Sequence, residues 1–166
     1  MTDDAKRKKY DSSLPFDDKM PKEADLVSDE VFFELWRKCF ANNAKFAVVR
    51  PVPDIGDLNT PIEEVWKFYK YWDYFKTWRE FSQYDEYDTE EAQDRYEKRW
   101  MEQQNRRGRK GYEKDERKRL SKMSTRAYDF DPRIKAALER EKEEKAAAKQ
   151  AKKDAKAKKW VNVVND

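Results

Sequence analysis

The sequence has no histidine, one cysteine and three glycines among its 166 residues. Without histidine the chain lacks the commonest general base, the commonest metal ligand and any Ser-His triad. Cys39 alone can form neither an intrachain disulfide nor a cysteine-based zinc cluster, and its place on the apolar side of a helical pattern makes it a small core residue. Gly56, Gly108 and Gly111 are too few and wrongly spaced for a nucleotide-binding turn. Carboxylates are plentiful, notably Asp85, Glu86 and Asp88 beside Tyr84 and Tyr87, but acids crowded ahead of a helix are dipole partners and caps before they are catalysts. No enzyme activity, cofactor or metal is therefore expected. Apolar runs long enough to span a bilayer are also missing, and Met1 leads into TDDAKRKKYD rather than a secretory signal. A cytosolic or nuclear protein follows, with no membrane partner.

Charge is what the chain has in excess. Charged residues make up 44% and hydrophobic ones 37%, well off the usual quarter and half. That composition leaves a small core and much exposed helix. The formal net charge of +3 conceals an asymmetry. Residues 1–94 hold fourteen bases and twenty-two acids, Asp85 to Asp94 alone holding six acids and no base. Over 95–126 there are thirteen bases against five acids, and the last forty residues carry a net +3. A run of this kind is either a solvated helical face or a footprint for a polyanion, and its arginine density favours nucleic-acid phosphate.

Residues 1–27 include Lys6, Arg7, Lys8, Lys9 and two prolines with little periodicity, which predicts an extended arm whose Leu14 and Phe16 reach the core. Ser28 then caps a helix with Val31, Phe32, Leu35, Trp36, Cys39 and Phe40 on one face, ended by Asn42 and Asn43. RPVPDIGDLN is a loop. For the next helix Thr60 is the expected cap, Pro61 the first residue and Glu63 the capping-box partner. Val65, Phe68, Trp72 and Phe75 line one face, widened by Trp66, Tyr69 and Tyr74. An aromatic stripe at this spacing builds a core more often than a platform for bases.

Two further capping boxes, Thr77 with Glu80 and Asp88 with Glu91, predict a kink near Lys76 and a helix carrying Ala92, Tyr96, Trp100 and Gln103 on its inner side. Gly108 and Gly111 predict a bend before Tyr112 to Ala127, which Leu120, Met123 and Ala127 anchor. Asp131 and Pro132 start a last helix, Arg133 to Lys159, rich in helix formers and almost devoid of an apolar stripe: a solitary exposed helix or a frayed tail. Trp160 to Asp166 supports no assignment. The expected fold is all-α, a small helical bundle with an aromatic core followed by a long, solvent-exposed charged helix. Its divisions are the arm 1–27, a helical domain 28–131, the charged helix 132–159 and a tail 160–166.

Three segments taken together, FYKYWDYFKTWREFS (68–82), EKRWMEQQN (97–105) and YDFDPRI (128–134), resemble the zuotin homology domain of ribosome-associated J-proteins. KRKKYDSSLPFDD near the start is similar to the segment that follows the J-domain in that family. The resemblance implies a co-chaperone module that anchors to ribosomal RNA and tunnel-exit proteins of the large ribosomal subunit through a basic helix, in the cytoplasm, with no DNA partner. It places the contacts on Arg95, Lys98 and Arg99, with Arg106, Arg107, Arg109 and Lys110 as extensions, and the charge count carries the face on to Lys114, Arg117 and Lys118. A DnaK-type chaperone would be engaged only through a J-domain, whose His-Pro-Asp tripeptide a histidine-free chain cannot contain. The competing expectation is a scaffold whose basic face and long helix bridge protein partners.

Overall fold

A computed structural model describes residues 3–164. Among these, five α-helices follow one another: α1 (Asp3–Ser13), α2 (Asp29–Ala44), α3 (Ile62–Asp73), α4 (Arg95–Phe130) and α5 (Pro132–Val164). The all-α expectation holds. Among the described residues the β-structure is one isolated antiparallel bridge, between Ala47 and Thr77.

The core is aromatic, and its geometry explains why α2 and α3 exist as helices. Phe32, Phe33, Trp36, Cys39 and Phe40 of α2 are buried against Val65, Phe68, Tyr69 and Trp72 of α3. Phe40 sits between the two others, with its ring centroid 4.9 Å from Phe68 and 4.8 Å from Trp72. Trp72 stacks on Phe75 at 4.4 Å. Large rings at edge-on and offset spacings fill such a small core at low conformational cost, and each buries far more apolar area than an aliphatic side chain. Burial of the Cys39 thiol raises its pKa to about 11, consistent with an unreactive packing residue. Trp66 and Tyr74, by contrast, fall outside the stripe and are exposed.

Leu120, Met123 and Ala127 of α4 and Ile134 of α5 close the other side of the same core. The α4–α5 junction is fixed by a buried knot rather than by apolar packing alone. Asp131 is fully buried and accepts hydrogen bonds from Tyr69 Oη at 2.7 Å and from Arg133 Nη2 at 2.7 Å and Nε at 3.0 Å. Its Oδ1 also accepts from the Arg133 backbone N–H at 2.9 Å, as the cap of α5. Arg133 in turn donates to the carbonyls of Ile55 and Asp57, which ties in the loop ahead of α3. In that loop Gly56 takes φ +75°, and a Cβ there would collide with Thr60, so glycine is required. Knotting the junction makes the boundary at 131/132 a corner of one core, with Ile134 buried inside it.

Several local expectations are overturned. Asp3–Ser13 is helical rather than extended, because Asp3 and Asp4 suit the helix N-terminus and ion pairs Lys8–Asp4 and Arg7–Asp11 support it at i, i+4. Ser12 docks it, accepting from Glu80 N. The segment 14–22 is not helical, and Phe16 does reach the core rim, 5.3 Å from Phe46. α2 runs on through Asn43, which is buried and donates to the Cys39 carbonyl. Pro61, not Thr60, stands at the cap of α3, and Thr60 instead accepts from Asp57 N within the loop. No helix starts at Thr77, which is held by the bridge to Ala47.

α4 shows the largest departures. It is continuous for 36 residues, about 54 Å, so Gly108 and Gly111 make no bend; both face open space. Its start lies at Asp94, not Asp88: Asp94 Oδ1 accepts from the N–H groups of Tyr96 and Glu97. α5 is a single helix, about 50 Å over its 33 residues, and every described side chain from Leu138 to Trp160 is exposed. The seven-residue tail begins inside it, and Asn165 and Asp166 lie outside the described residues.

Candidate nucleic-acid interface

All ten candidate cations lie on α4, so the geometry of that helix decides which of them can meet a ligand. Its inner line is Asn105, Glu116, Leu120, Met123 and Ala127, spaced at helical repeats and buried. Toward the C-terminus this line packs on α3, where Ser124 Oγ also donates to Asp73 at 2.9 Å. Nearer the N-terminus the acidic segment 85–93 covers the same line. Asn105 pins that segment by accepting from the backbone N–H groups of Glu86 and Tyr87 at 3.1 and 3.0 Å and donating to the Tyr87 carbonyl at 2.8 Å.

The pinned acids neutralise part of the basic run. Arg109 forms a two-pronged pair with Asp85, and that hydrogen bond holds the guanidinium pKa above its ordinary value. Lys98 stands 3.8 Å from Glu90, and Lys118 4.0 Å from Asp115. Two other cations are structural. Arg119 and Arg79 converge on buried Glu116 at 2.8 and 3.1 Å, while the Arg79 guanidinium lies over Phe16 and Phe46. Burial works to raise the Glu116 pKa, and the two arginines outweigh it, leaving the carboxyl below its usual range. These pairs serve the fold, since removing one partner would strand a buried charge.

What remains is an outward face. Arg95, Arg99, Arg106, Arg107, Lys110, Lys114 and Arg117 are exposed and form no ion pair among the described residues. At about 100° per residue, Arg107, Lys110, Lys114 and Lys118 lie on the side of the helix away from Leu120 and Met123, and Arg99, Arg106 and Arg117 lie on its flank. Glu102 and Glu113 border this arc on one side and Glu97 and Asp115 on the other, so no acid lies within it. A straight, regularly spaced row of uncompensated cations suits a repeating anion such as a phosphate backbone. A hollow of 1130 Å³ between segment 85–90 and α4 is lined by Asp85, Glu86, Asp88 and Glu90 together with Arg99, Arg106 and Arg109, and this mixture of signs offers no such uniform field.

The sequence-level candidates thus divide. Arg107, Lys110 and Lys114 share the free face with Arg117 at its edge, and Lys118 stays on it with a weak partner. Arg95, Arg99 and Arg106 are exposed and unpaired on the flank toward the acidic segment, Lys98 is loosely tied, and Arg109 is turned inward to Asp85. Tyr96 and Trp100 were expected on the buried side. They lie outside instead, 83% and 49% exposed, because the helix phase is set by Asn105, Glu116 and Leu120, which put residues 96 and 100 on the far side. The Asp94–Glu97 capping pair and that inner line were the signals in the sequence that carried this phase.

Residues 31–135 match the family model described as zuotin-like, zuotin homology domain. The chain belongs to this family. It is 39% identical over 146 residues to DnaJ homolog subfamily C member 2 of Danio rerio, covering 87% of the chain and 23% of that relative. The human protein of the same name is 39% identical over 143 residues, with 86% and 23% covered. Zuotin of Schizosaccharomyces pombe is 35% identical over 149 residues, 90% of the chain and 33% of the relative. The chain therefore spans about a quarter to a third of the length of these curated relatives. Family membership covers the aromatic core, the Asp131 knot and the α4 face alike, since all lie within or against the matched segment.

Proposed function

We propose that this zuotin homology domain is a ribosome-binding, non-enzymatic module of a co-chaperone, and that the outward face of α4 anchors it to ribosomal RNA of the large subunit near the tunnel exit. The observation that supports this reading is the acid-free row of unpaired cations on a helix too firmly held to collapse onto its own acids. Duplex RNA is met chiefly through its backbone and shape, and a rigid cationic rod meets those requirements without a pocket. In this reading the module works on ribosomes in the cytoplasm. Stimulation of a DnaK-type chaperone would fall to a J-domain of a longer protein, since the chain's 166 residues contain no histidine for the tripeptide.

The test is cosedimentation with purified large subunits across a salt series. Replacing Arg106, Arg107 and Lys110 together by alanine removes three exposed cations and no ion pair or buried contact. The expected result is weaker binding and a flatter plot of log affinity against log salt, by up to about 0.9 per lost phosphate contact on a duplex, with helicity unchanged. An unchanged slope and unchanged pelleting overturn the RNA anchor. The exposed length of α5 favours one alternative, a scaffold bridging protein partners; salt-insensitive binding to isolated proteins would support it.

A further inference from the structure

On α4 the residues Tyr96, Trp100, Gln103, Arg107, Lys110 and Lys114 follow one another at steps of four and three, one stripe on the outward face. Two large aromatic rings therefore stand at the N-terminal end of a row of free cations. We propose that Trp100, flanked by Tyr96, stacks on an unpaired nucleobase of the bound RNA, so that the ligand is a stem carrying a loop or bulge rather than a plain duplex. This rests on the RNA reading of α4 and narrows it.

Three observations carry the assignment. First, the rings are exposed: Tyr96 is 83% accessible, and Trp100 is 49% accessible with one aromatic neighbour among the described residues, Tyr87 at 4.9 Å and 67°. Exposed aromatics on a charged face mark contact sites, and a paired duplex, with its bases stacked and its major groove closed to side chains, offers them nothing flat. Second, the indole is pre-set. Tyr87, on whose ring it packs edge-on, has its backbone held at both N–H and carbonyl by Asn105, which limits how far that supporting ring can move. Third, the surroundings fit RNA better than a protein partner. Around Trp100 the outward face holds Tyr96, Gln103, Gln104 and Arg107, with Glu97 at its edge and, among the described residues, no aliphatic anchor beside it on that face of the kind a docked protein helix would need. A strand with phosphates on Arg106 and Arg107 would bring its next unpaired base to the indole, about 10 Å along the axis from residue 107. Aromatic stacking interleaved with cations is the recurring device for single-stranded nucleotides.

The experiment compares three synthetic RNAs with the full chain: a perfect duplex, a hairpin of equal charge with an unpaired loop, and the same hairpin with abasic loop positions. Trp100→Ala should lose about tenfold in affinity for the intact hairpin, keep its affinity for the duplex, and show no further loss on the abasic hairpin. Wild type should lose the same factor on going from intact to abasic loop. Tyr96→Ala, whose ring has no packing role, provides a second variant should Trp100→Ala perturb the helix, and it should lose a smaller factor on the intact hairpin alone. Equal losses on duplex and hairpin, no loss in either variant, or loss only of binding to a ribosomal protein would overturn the stacking assignment while leaving the phosphate anchor standing. Salt-independent or absent binding of all three RNAs would instead remove the anchor itself.

Discussion

The substitution Asp131→Ala offers the sharpest probe of how this fold is held. The carboxylate is fully buried, pairs with a buried guanidinium, accepts the Tyr69 hydroxyl and caps α5. Removing it strands the Arg133 charge, for which breaking a buried pair costs about 3 to 5 kcal/mol. Loss of the cap adds about 1 kcal/mol, and an unsatisfied Tyr69 hydroxyl about 1 to 3 kcal/mol, although groups in one network do not add fully. Arg133 keeps its bonds to the Ile55 and Asp57 carbonyls and its place over Phe33, which limits the total. A loss of about 4 to 6 kcal/mol is therefore expected, a large part of the stability of a domain this size. Urea unfolding followed by circular dichroism measures it. The companion double variant Asp131→Ala with Arg133→Met should recover much of the loss, because no buried charge is left. A single-variant cost under about 1 kcal/mol, or a double variant as unstable as the sum of its singles, would refute the account of the knot.

Gly108→Ala and Gly111→Ala should each raise stability by up to about 1 kcal/mol, since both glycines sit inside a continuous helix with open space where the methyl would go; thermal melts read this directly. Glu116 has its folded pKa depressed, so its contribution is present above its ordinary value of 4.5 and is lost as pH falls below it. A Tm profile from pH 7 to pH 3 should therefore decline less steeply on the acid side for Glu116→Gln than for wild type. Truncation after Glu144 should leave Tm nearly unchanged, because α5 beyond that point has no buried side chain among the described residues.

How far the sequence could be read depended on which force decided each element. Where apolar periodicity ruled, as in α2 and α3, the helices and the stripe Phe68–Trp72–Phe75 facing Phe32 and Trp36 were legible. Capping signals misled where several competed. Asp88 with Glu91 and Asp94 with Glu97 are both plausible starts, and the choice went to Asp94 because Asn105 captures the backbone of residues 86 and 87 in a bend just ahead of Asp88. Nothing local in DEYDTEEA announces that capture. The glycines failed for a related reason: a helix clamped at both ends by tertiary contacts tolerates about 2 kcal/mol of poor propensity between them. The arm 3–13 failed in the opposite sense, since its charge pairs at i, i+4 and the docking of Ser12 supplied order that hydropathy does not register.

Charge counting located the candidate face but could not divide it. A net +8 over 95–126 treats Arg109, Arg119 and Arg107 alike, whereas the fold gives them three different tasks. Arg109 holds the acidic segment through Asp85, Arg119 neutralises Glu116 beside the core, and Arg107 meets solvent. The division follows from helix phase. Arg109 and Arg119, beside the inner line, are paired with Asp85 and Glu116, since an unpaired charge there would be partly desolvated. Arg107, Lys110 and Lys114 on the far side meet no such penalty and form no ion pair among the described residues. The acidic segment 85–94 thus has a definite effect on any polyanion that approaches: through Asp85 and Glu90 it offsets Arg109 and Lys98 and leaves Arg107, Lys110 and Lys114 uncancelled, so that the field is strongest along the side of α4 that the rest of the domain does not cover.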